Sequence, residues 1–319
     1  MTFSEHPIRV DADTFVRAET DRMFHALQAS AGGVNRLSHE REPADVHRQT
    51  VIRLNRDTLY SSAVVDVSAG ASITIPEHGD RYLSVMVVDQ DHYIQQIIHD
   101  PGVHALDASR FPTAHAFIAV RTLVDPADPA DIAAVARIQD AISLEAASAV
   151  EFVSPDYDTA SLDATRSALL ALAAGLGGFE RSFGSREEVD PVRHLIGTAA
   201  GWGGLPEHEA IYLSTTPDLP AGSYELVVRD VPVDGFWSIS VYNAEGYFEP
   251  NDAGSYTVNN LTAVRDADGA VTVRFGDHPA GSANVIPIVD GWNYTVRLYR
   301  PRREIRDGEW RFPTLDARS

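Results

Sequence analysis

The chain contains no cysteine, and all 26 of its lysine-or-arginine positions are arginine, so lysine is missing too. Without a thiol there is no cysteine nucleophile, no disulfide framework and no thiolate metal ligand. Without an ammonium side chain there is no Schiff base to pyridoxal phosphate, no Walker lysine and no Ser-Lys dyad. No apolar run reaches the roughly 18 residues that a membrane-spanning helix needs. The opening Met1-Thr-Phe-Ser-Glu-His-Pro7 has neither the basic stretch nor the apolar core of a secretory signal, so a cytoplasmic location is expected. A formal charge of -20 leaves no basic stripe for phosphates and disfavours anionic lipid. Neither nucleic acid nor a membrane is therefore expected as a partner. The acidic residues are scattered, as on a solvated surface.

What is present is a globular composition, 44% hydrophobic and 23% charged over 319 residues, enough for one large or two ordinary domains. A helix is expected from Asp13 to about Ser30, capped by Asp13, with Phe15, Val16, Met23 and Leu27 facing inward and Gly32-Gly33 ending it. Strands are expected over Gln49 to Val67, Ala71 to Pro76, Tyr82 to Val88 and Ala116 to Leu123. The pattern then turns helical. Asp128-Pro129 opens a helix carrying Ile132, Val135, Ile138 and Ile142, a second runs from about Ser161 to Leu176 before Gly177-Gly178, and Asp190-Pro191 opens a third. Strands return over Tyr224 to Val231, Phe236 to Tyr242, Val271 to Phe275 and Tyr294 to Tyr299.

Strands and helices are not interleaved, which disfavours a doubly wound parallel sheet. The expected class is α+β: two mainly antiparallel β lobes, sandwich or jelly-roll-like, bridged by a helical segment and preceded by an N-terminal helix. The domains would be residues 1–124, with the N-terminal helix and a β lobe, 125–204, the helical linker, and 205–319, the C-terminal β-sandwich lobe.

Two C-terminal segments, Gly235-Phe-Trp-Ser-Ile-Ser-Val-Tyr-Asn-Ala-Glu-Gly-Tyr247 and Asn293-Tyr-Thr-Val-Arg-Leu-Tyr-Arg-Pro301, alternate as strands buried on one face do. Their FWS-x-x-x-Y and Arg-Leu-Tyr-x-Pro patterns resemble the bacterial domain of unknown function 1214. Upstream, Val51-Ile-Arg-Leu-Asn-Arg-Asp-Thr-Leu-Tyr-Ser-Ser62 is similar to the signature of its usual companion, domain of unknown function 1254. The resemblance implies the same layout but no reaction. Relatives are sometimes labelled carboxylesterases, yet the GxSxG elbow is absent here. Its nearest form, Gly197-Thr-Ala-Ala-Gly201, has alanine at the nucleophile position.

Candidate chemistry concentrates in two places. If Val51 to Tyr60 is a strand, Arg53, Asn55 and Asp57 share one face, where a guanidinium, an amide and a carboxylate could hold a polar substrate. Alternatively Arg53 pairs with Asp57 and fixes a register. Asp89-Gln-Asp91-His92-Tyr93 ends an apolar strand, and a carboxylate beside a histidine makes a base and its orienting partner. His92, with a pKa near neutrality, would carry the proton, and Arg53 would anchor the substrate. No cofactor is expected. Asp89, Asp91 and His92 have the ligand types for a divalent metal, but not the spacing of an HExxH motif, and a turn capped by aspartates competes with that reading.

Tyr60, Tyr93, His194, Trp202, Tyr242 and Asn243 complete the candidate substrate-binding set. His194 lies one turn into the Asp190-Pro191 helix, Trp202 in a glycine loop that lacks any nucleotide-binding spacing, and Tyr242 on the strand face shared with Phe236, Ser238 and Ser240. Trp237, on the opposite face, reads as core. The expected function is a small-molecule enzyme, a hydrolase or lyase using general acid–base chemistry in a cleft between the lobes. The alternative is a non-catalytic protein that binds a small hydrophobic ligand. A homo-oligomer is compatible with either.

Overall fold

The computed structural model describes residues 6–49, 52–176 and 178–315. The chain forms two compact units. The first gathers residues up to 40, 60–122 and 136–206, and the second 41–59, 123–135 and 207 onward. The polypeptide thus changes unit at 40/41, 59/60, 122/123, 135/136 and 206/207. Of the stretch 125–204, residues 125–135 fall in the second unit and the rest in the first.

The helices are α1 (Phe15–Ala31), α2 (Pro129–Ala141), α3 (Thr159–Ala173), α4 (Pro191–Gly201) and α5 (Arg303–Arg306). In the N-terminal half the strands are β1 (Ser38–His39), β2 (Thr58–Asp66), β3 (Ala71–Ile75), β4 (Leu83–Asp89), β5 (Ile94–Ile98), β6 (Gly102–Leu106), β7 (His115–Leu123) and β8 (Ser143–Ala146). In the C-terminal half they are β9 (Ala210–Thr215), β10 (Ser223–Val228), β11 (Trp237–Tyr242), β12 (Thr257–Asn259), β13 (Val271–Gly276), β14 (Val285–Ile286) and β15 (Asn293–Tyr299). The class is α+β with mainly antiparallel sheets and an N-terminal helix. Only β13 and β14, among the pairs whose register is defined, run parallel.

In the first unit the sheet β1-β2-β7-β4-β5 and the sheet β6-β3-β8 share one apolar core, with Val65, Val85, Ile118 and Val120 meeting Ile73 and Ile75. Strand β4 is buried along its whole length, so both faces are apolar and alternation is lost, as for any strand covered on both sides. β8 interrupts the stretch expected to be helical. It pairs with β3, Leu144 opposite Ile73 and Ala146 opposite Ala71, and these two apolar side chains complete the core edge.

Helices α1, α3 and α4 form a second layer around Phe15, Ala18, Leu162, Leu169 and Ile196. Helix α1 starts after Thr14 rather than with Asp13 as its cap, and Gly32, at φ 76°, closes it with a left-handed turn. Val16, Met23 and Leu27 are only half-buried, whereas Glu19, Asp21 and Gln28 are buried. Tertiary hydrogen bonds override the hydropathy pattern here. Gln28 accepts from the Phe152 N–H (2.8 Å) and donates to the Phe152 carbonyl (3.1 Å). Asp190 caps α4 as expected, accepting from the N–H groups of Val192 and Arg193. Gly177, expected to stop α3, lies outside the described residues.

In the second unit the sheet β12-β11-β15-β9 and the sheet β10-β13-β14 enclose the other core. Trp237, Ile239, Val241, Val296 and Leu298 point into it against Leu226, Val273 and Phe275. Each such side chain, fully buried, contributes about 1.5–3 kcal/mol.

Candidate functional site

The opposite face of β12-β11-β15-β9 is polar and buried. Cross-strand partners share a face, so Ser238 and Ser240 of β11 lie beside Arg297 and Thr295 of β15, and beside Asn259 and Thr257 of β12. All six are buried. Burying that many polar groups is tolerable only when nearly all find a partner. Thr295 finds one in Ser214 and Ser238 Oγ has none among the described residues, while Arg297, Thr257 and Asn259 find theirs in residues 53–58 of the same unit.

That segment is not the strand expected from Val51 to Tyr60. Val51 lies outside the described residues, and β2 begins only at Thr58. Arg53 takes a left-handed φ of 53° and donates its N–H to the Gly246 carbonyl (2.8 Å). The side chain of Asn55 accepts from the Asp57 N–H (2.9 Å), a local turn that competes with extended backbone. Arg53, Asn55 and Asp57 therefore do not line up on one strand face. The Arg53 side chain is exposed, Asn55 is half-buried and Asp57 is fully buried.

Asp57 is the charged centre of this layer. Its Oδ1 accepts from Thr257 Oγ1 (2.9 Å) and Asn259 Nδ2 (2.9 Å), while its buried Oδ2 has no partner among the described residues. Arg297 is the matching buried cation. It donates to Ser240 Oγ (2.8 Å), to the Tyr242 hydroxyl (2.7 Å) and to the carbonyls of Arg53 (2.8 Å) and Leu54 (3.3 Å). Burial opposes its charge, but Tyr242, Tyr299 and Asp57 outweigh that and hold the guanidinium protonated.

The two charges make no direct ion pair; hydroxyl groups connect them. Arg297 Nη1 donates to Ser240 Oγ, Ser240 to Thr257 Oγ1 (3.3 Å), and Thr257 to Asp57 Oδ1. Ser240 takes one hydrogen bond and gives one, while Thr257 Oγ1 also lies 3.1 Å from the Ile239 carbonyl, so its single proton is shared between that oxygen and Asp57. Tyr242 donates its hydroxyl to the Leu54 carbonyl (2.8 Å), and burial pushes its pKa up. Asn55 Nδ2 donates to the Tyr299 hydroxyl (3.0 Å) and to Thr58 Oγ1 (3.1 Å).

Beside this layer lies a cavity of about 300 Å³ whose walls include Arg56, Tyr256, Thr257 and Asn284. Thr257 belongs both to the cavity wall and to the hydrogen bonds of Asp57. The Arg56 guanidinium lies 5.3 Å from the Tyr256 ring centre and donates to the Ala44 carbonyl, while its buried Nε has no partner among the described residues. Burial lowers the pKa of Arg56. Asn243 stands at the end of β11, where its side chain donates to Glu249 (3.1 Å) and accepts from the Tyr247 N–H (3.0 Å), shaping a turn.

The remaining candidates lie in the first unit. Asp89 accepts from the N–H groups of Asp91 (2.8 Å) and Tyr93 (3.0 Å) and from Gln95 (2.7 Å), so it builds the turn after β4. Burial raises its pKa. Asp91 is held by Arg17 at 2.6 Å. The Gly203 N–H donates to His92 Nε2 (2.9 Å), so the proton of the neutral ring sits on Nδ1, which donates to Thr198 Oγ1 (2.8 Å). Burial, reinforced by His194, pushes His92 well below the usual 6.5. The expectation of a near-neutral proton carrier is corrected by this burial, since both ring nitrogens are already engaged.

Around His92 the rings form a column. His92 stacks on Trp202 (5.4 Å) and His194 (5.5 Å), His194 on Tyr93 (4.6 Å), and Arg186 caps Tyr93 at 4.7 Å. His194 faces the carbonyls of Ser182 (3.1 Å) and Asp91 (3.0 Å), and the Trp202 N–H donates to Thr20 (3.1 Å). The glycine loop is explained by close approach: a Cβ at Gly204 would lie 2.3 Å from the Phe183 ring. Tyr60 lies under the Arg121 guanidinium at 5.6 Å. Asp89, Asp91 and His92 have separate partners, and among the described residues no three His, Asp or Glu side chains converge as metal ligands.

Thus Asn55, Asp57 and Tyr242 join one network in the second unit, while His92, Tyr93, His194 and Trp202 join one column in the first. Sequence reasoning missed Arg56, Thr257, Asn259, Arg297 and Tyr299. A signal was present for two of them, because Arg297 and Tyr299 stand in the Arg-Leu-Tyr-x-Pro pattern itself.

The fold is similar to that of solved structures. The VPA0106 protein from Vibrio parahaemolyticus matches with a TM-score of 0.74 at 16% identity, covering 97% of this chain and 98% of its own. A putative uncharacterized protein from Burkholderia cenocepacia matches with a TM-score of 0.53 at 16% identity, over 95% of this chain and 87% of that one. At such identities the likeness concerns the fold alone. No curated protein matches the chain significantly. Residues 34–95 match the family described as "Protein of unknown function (DUF1254)", and residues 214–303 that described as "Protein of unknown function (DUF1214)". Asp57 lies within the first match, and Thr257, Asn259, Arg297 and Tyr299 lie within the second. The chain therefore combines a DUF1254 segment with a DUF1214 segment, the pairing that its sequence patterns resemble.

Proposed function

We propose that the protein is a small-molecule enzyme, a hydrolase or lyase of the general acid–base type, whose reacting group is Asp57. The observation that supports this best is a fully buried carboxylate with one oxygen uncommitted, hydrogen-bonded to a threonine on the wall of a cavity that also holds a half-buried arginine. Arg56 would take a carboxylate or carbonyl oxygen of the substrate, for which a planar guanidinium is suited. Thr257 would pass a proton from the substrate or a water to Asp57, giving up its own proton to Oδ1 as it accepts the new one. A cytoplasmic location belongs to the same proposal and is tested by cell fractionation.

The experiment is a thermal-shift screen of small hydroxy, keto and dicarboxylic acids, followed by turnover of the hits by NMR. Asp57→Asn should retain binding and abolish turnover, and Arg56→Gln should weaken binding about tenfold or more. A hit turned over equally fast by wild type and Asp57→Asn would sink the assignment.

A further inference from the structure

The first unit holds a second cavity, of about 750 Å³, which belongs to none of the groups above. Helix α1 presents Ala18, Arg22 and His25 to it at helical spacing, and α3 presents Thr159, Leu162 and Arg166. The third side is the irregular stretch 151–157. This stretch is held in place without a ligand. Gln28 clamps both backbone groups of Phe152, and the Tyr157 hydroxyl donates to the buried carboxyl of Asp21 (2.8 Å). The cavity is therefore preformed, which lowers the ordering cost of binding.

Its floor is apolar, since Ala18, Leu162 and Phe152 are at most 5% exposed. Its charge comes from two helices. Arg22 of α1 and Arg166 of α3 each turn the Nε and Nη2 edge of the guanidinium to the same carboxylate, Glu19, which is 3% exposed. Burial alone would raise Glu19, but these two arginines outweigh it and hold it below the ordinary glutamate range. Two cations thus share one buried anion. Among the described residues the Nη1 of Arg166 is met by Asp163 alone (2.7 Å), whose side chain is 59% exposed. Glu151 and Asp156 also border the cavity, but both are exposed, where water and salt screen them.

We propose that this cavity is a binding site for a small organic acid with an apolar body. Its carboxylate sits on the outer edges of Arg22 and Arg166, displacing Asp163, and its hydrocarbon part covers Ala18, Leu162 and Phe152. The site is independent of Asp57 and needs no turnover.

Isothermal titration of the full chain with octanoate and 3-phenylpropionate, against octanol and 3-phenylpropanol, tests it. Removing Arg166 would strand Glu19, so the decisive variant is Thr159→Trp, which places an indole in the cavity from an exposed position without removing a member of the ion pairs. Saturable binding of an acid, absent for its alcohol and weakened about tenfold or more in Thr159→Trp, is expected. Arg56→Gln, in the other unit, should leave this binding unchanged. The proposal is overturned if neither acid binds at millimolar concentration, if acid and alcohol bind alike, if Thr159→Trp binds like wild type, or if Arg56→Gln abolishes binding.

Discussion

Replacing Arg297 by methionine removes the buried cation of the polar layer while roughly keeping side-chain length. Four acceptors lose its hydrogen bonds: Ser240 Oγ, the Tyr242 hydroxyl and the carbonyls of Arg53 and Leu54. The Leu54 carbonyl keeps a bond from Tyr242, so its loss is small. For the Arg53 carbonyl no other donor among the described residues replaces the guanidinium, at a cost of about 1–3 kcal/mol. Asp57 also stays buried without its counter-charge, and removing one member of a buried charge pair costs about 3–5 kcal/mol. These terms overlap, so the expected loss is about 3–5 kcal/mol, a large share of the roughly 5–15 kcal/mol of a typical domain. Three of the four tryptophans, Trp237, Trp292 and Trp310, lie in this unit, so intrinsic fluorescence in urea reports its unfolding. The midpoint should fall with little change in slope. Arg297→Lys should lie between the two, because an ammonium restores charge but not the planar fork. A methionine variant within about 1 kcal/mol of wild type would refute the reasoning, since the layer would then owe nothing to its charge.

Two further predictions concern pH. Burial opposes the charge of Asp66, yet hydrogen bonds from Ser148, Ser68 and the Val150 N–H lower its pKa from 3.8 to about 2. Because the folded value is depressed, the contribution is full above 3.8 and is lost as pH falls toward 2; it amounts to roughly 2 kcal/mol, and Asp66→Asn should flatten acid denaturation in that window. His92 is depressed from 6.5, so stability should fall as pH drops below 6.5, and His92→Gln should remove that slope in equilibrium melts. A wild-type curve flat from neutrality to pH 5 would contradict the buried neutral ring.

Much of the fold was legible because its signals are local. The caps at Asp190 and Gly32, the periodicity of α2, and the alternation of β11 and β15 each depend on a few neighbouring residues. Short strands such as β5, β8 and β12 were not legible, since their pairing is decided by distant edges. The site was half legible. Asn55 and Asp57 were singled out with Arg53 on strand alternation, and Tyr242 separately on its strand face; the structure joins Asn55, Asp57 and Tyr242 through Arg297 and its neighbours by another route. They meet because a turn at Asn55 and a left-handed Arg53 lay this segment over a sheet face some 200 residues downstream, with Asp57 reaching Thr257 and Asn259. Neither spacing nor period announces such a contact. His92 misled for a related reason: a histidine beside two aspartates suggests proton transfer until its two nitrogens are seen to be occupied.

The five changes of unit along the chain bear on how the protein is made. Asn55 and Asp57 emerge from the ribosome long before Thr257, Asn259 and Tyr299, which lie 200 to 244 residues further on. At about 5–20 residues per second the wait is about 10–40 s. Throughout that interval residues 41–59 have no sheet to cover, and when β11 and β15 appear their polar face has no other lid. Neither unit can be cut out as a continuous piece of polypeptide, and a C-terminal fragment starting at residue 207 would leave Arg297 and its serines facing water. Folding of the second unit must wait for β15, the last strand of its four-stranded sheet.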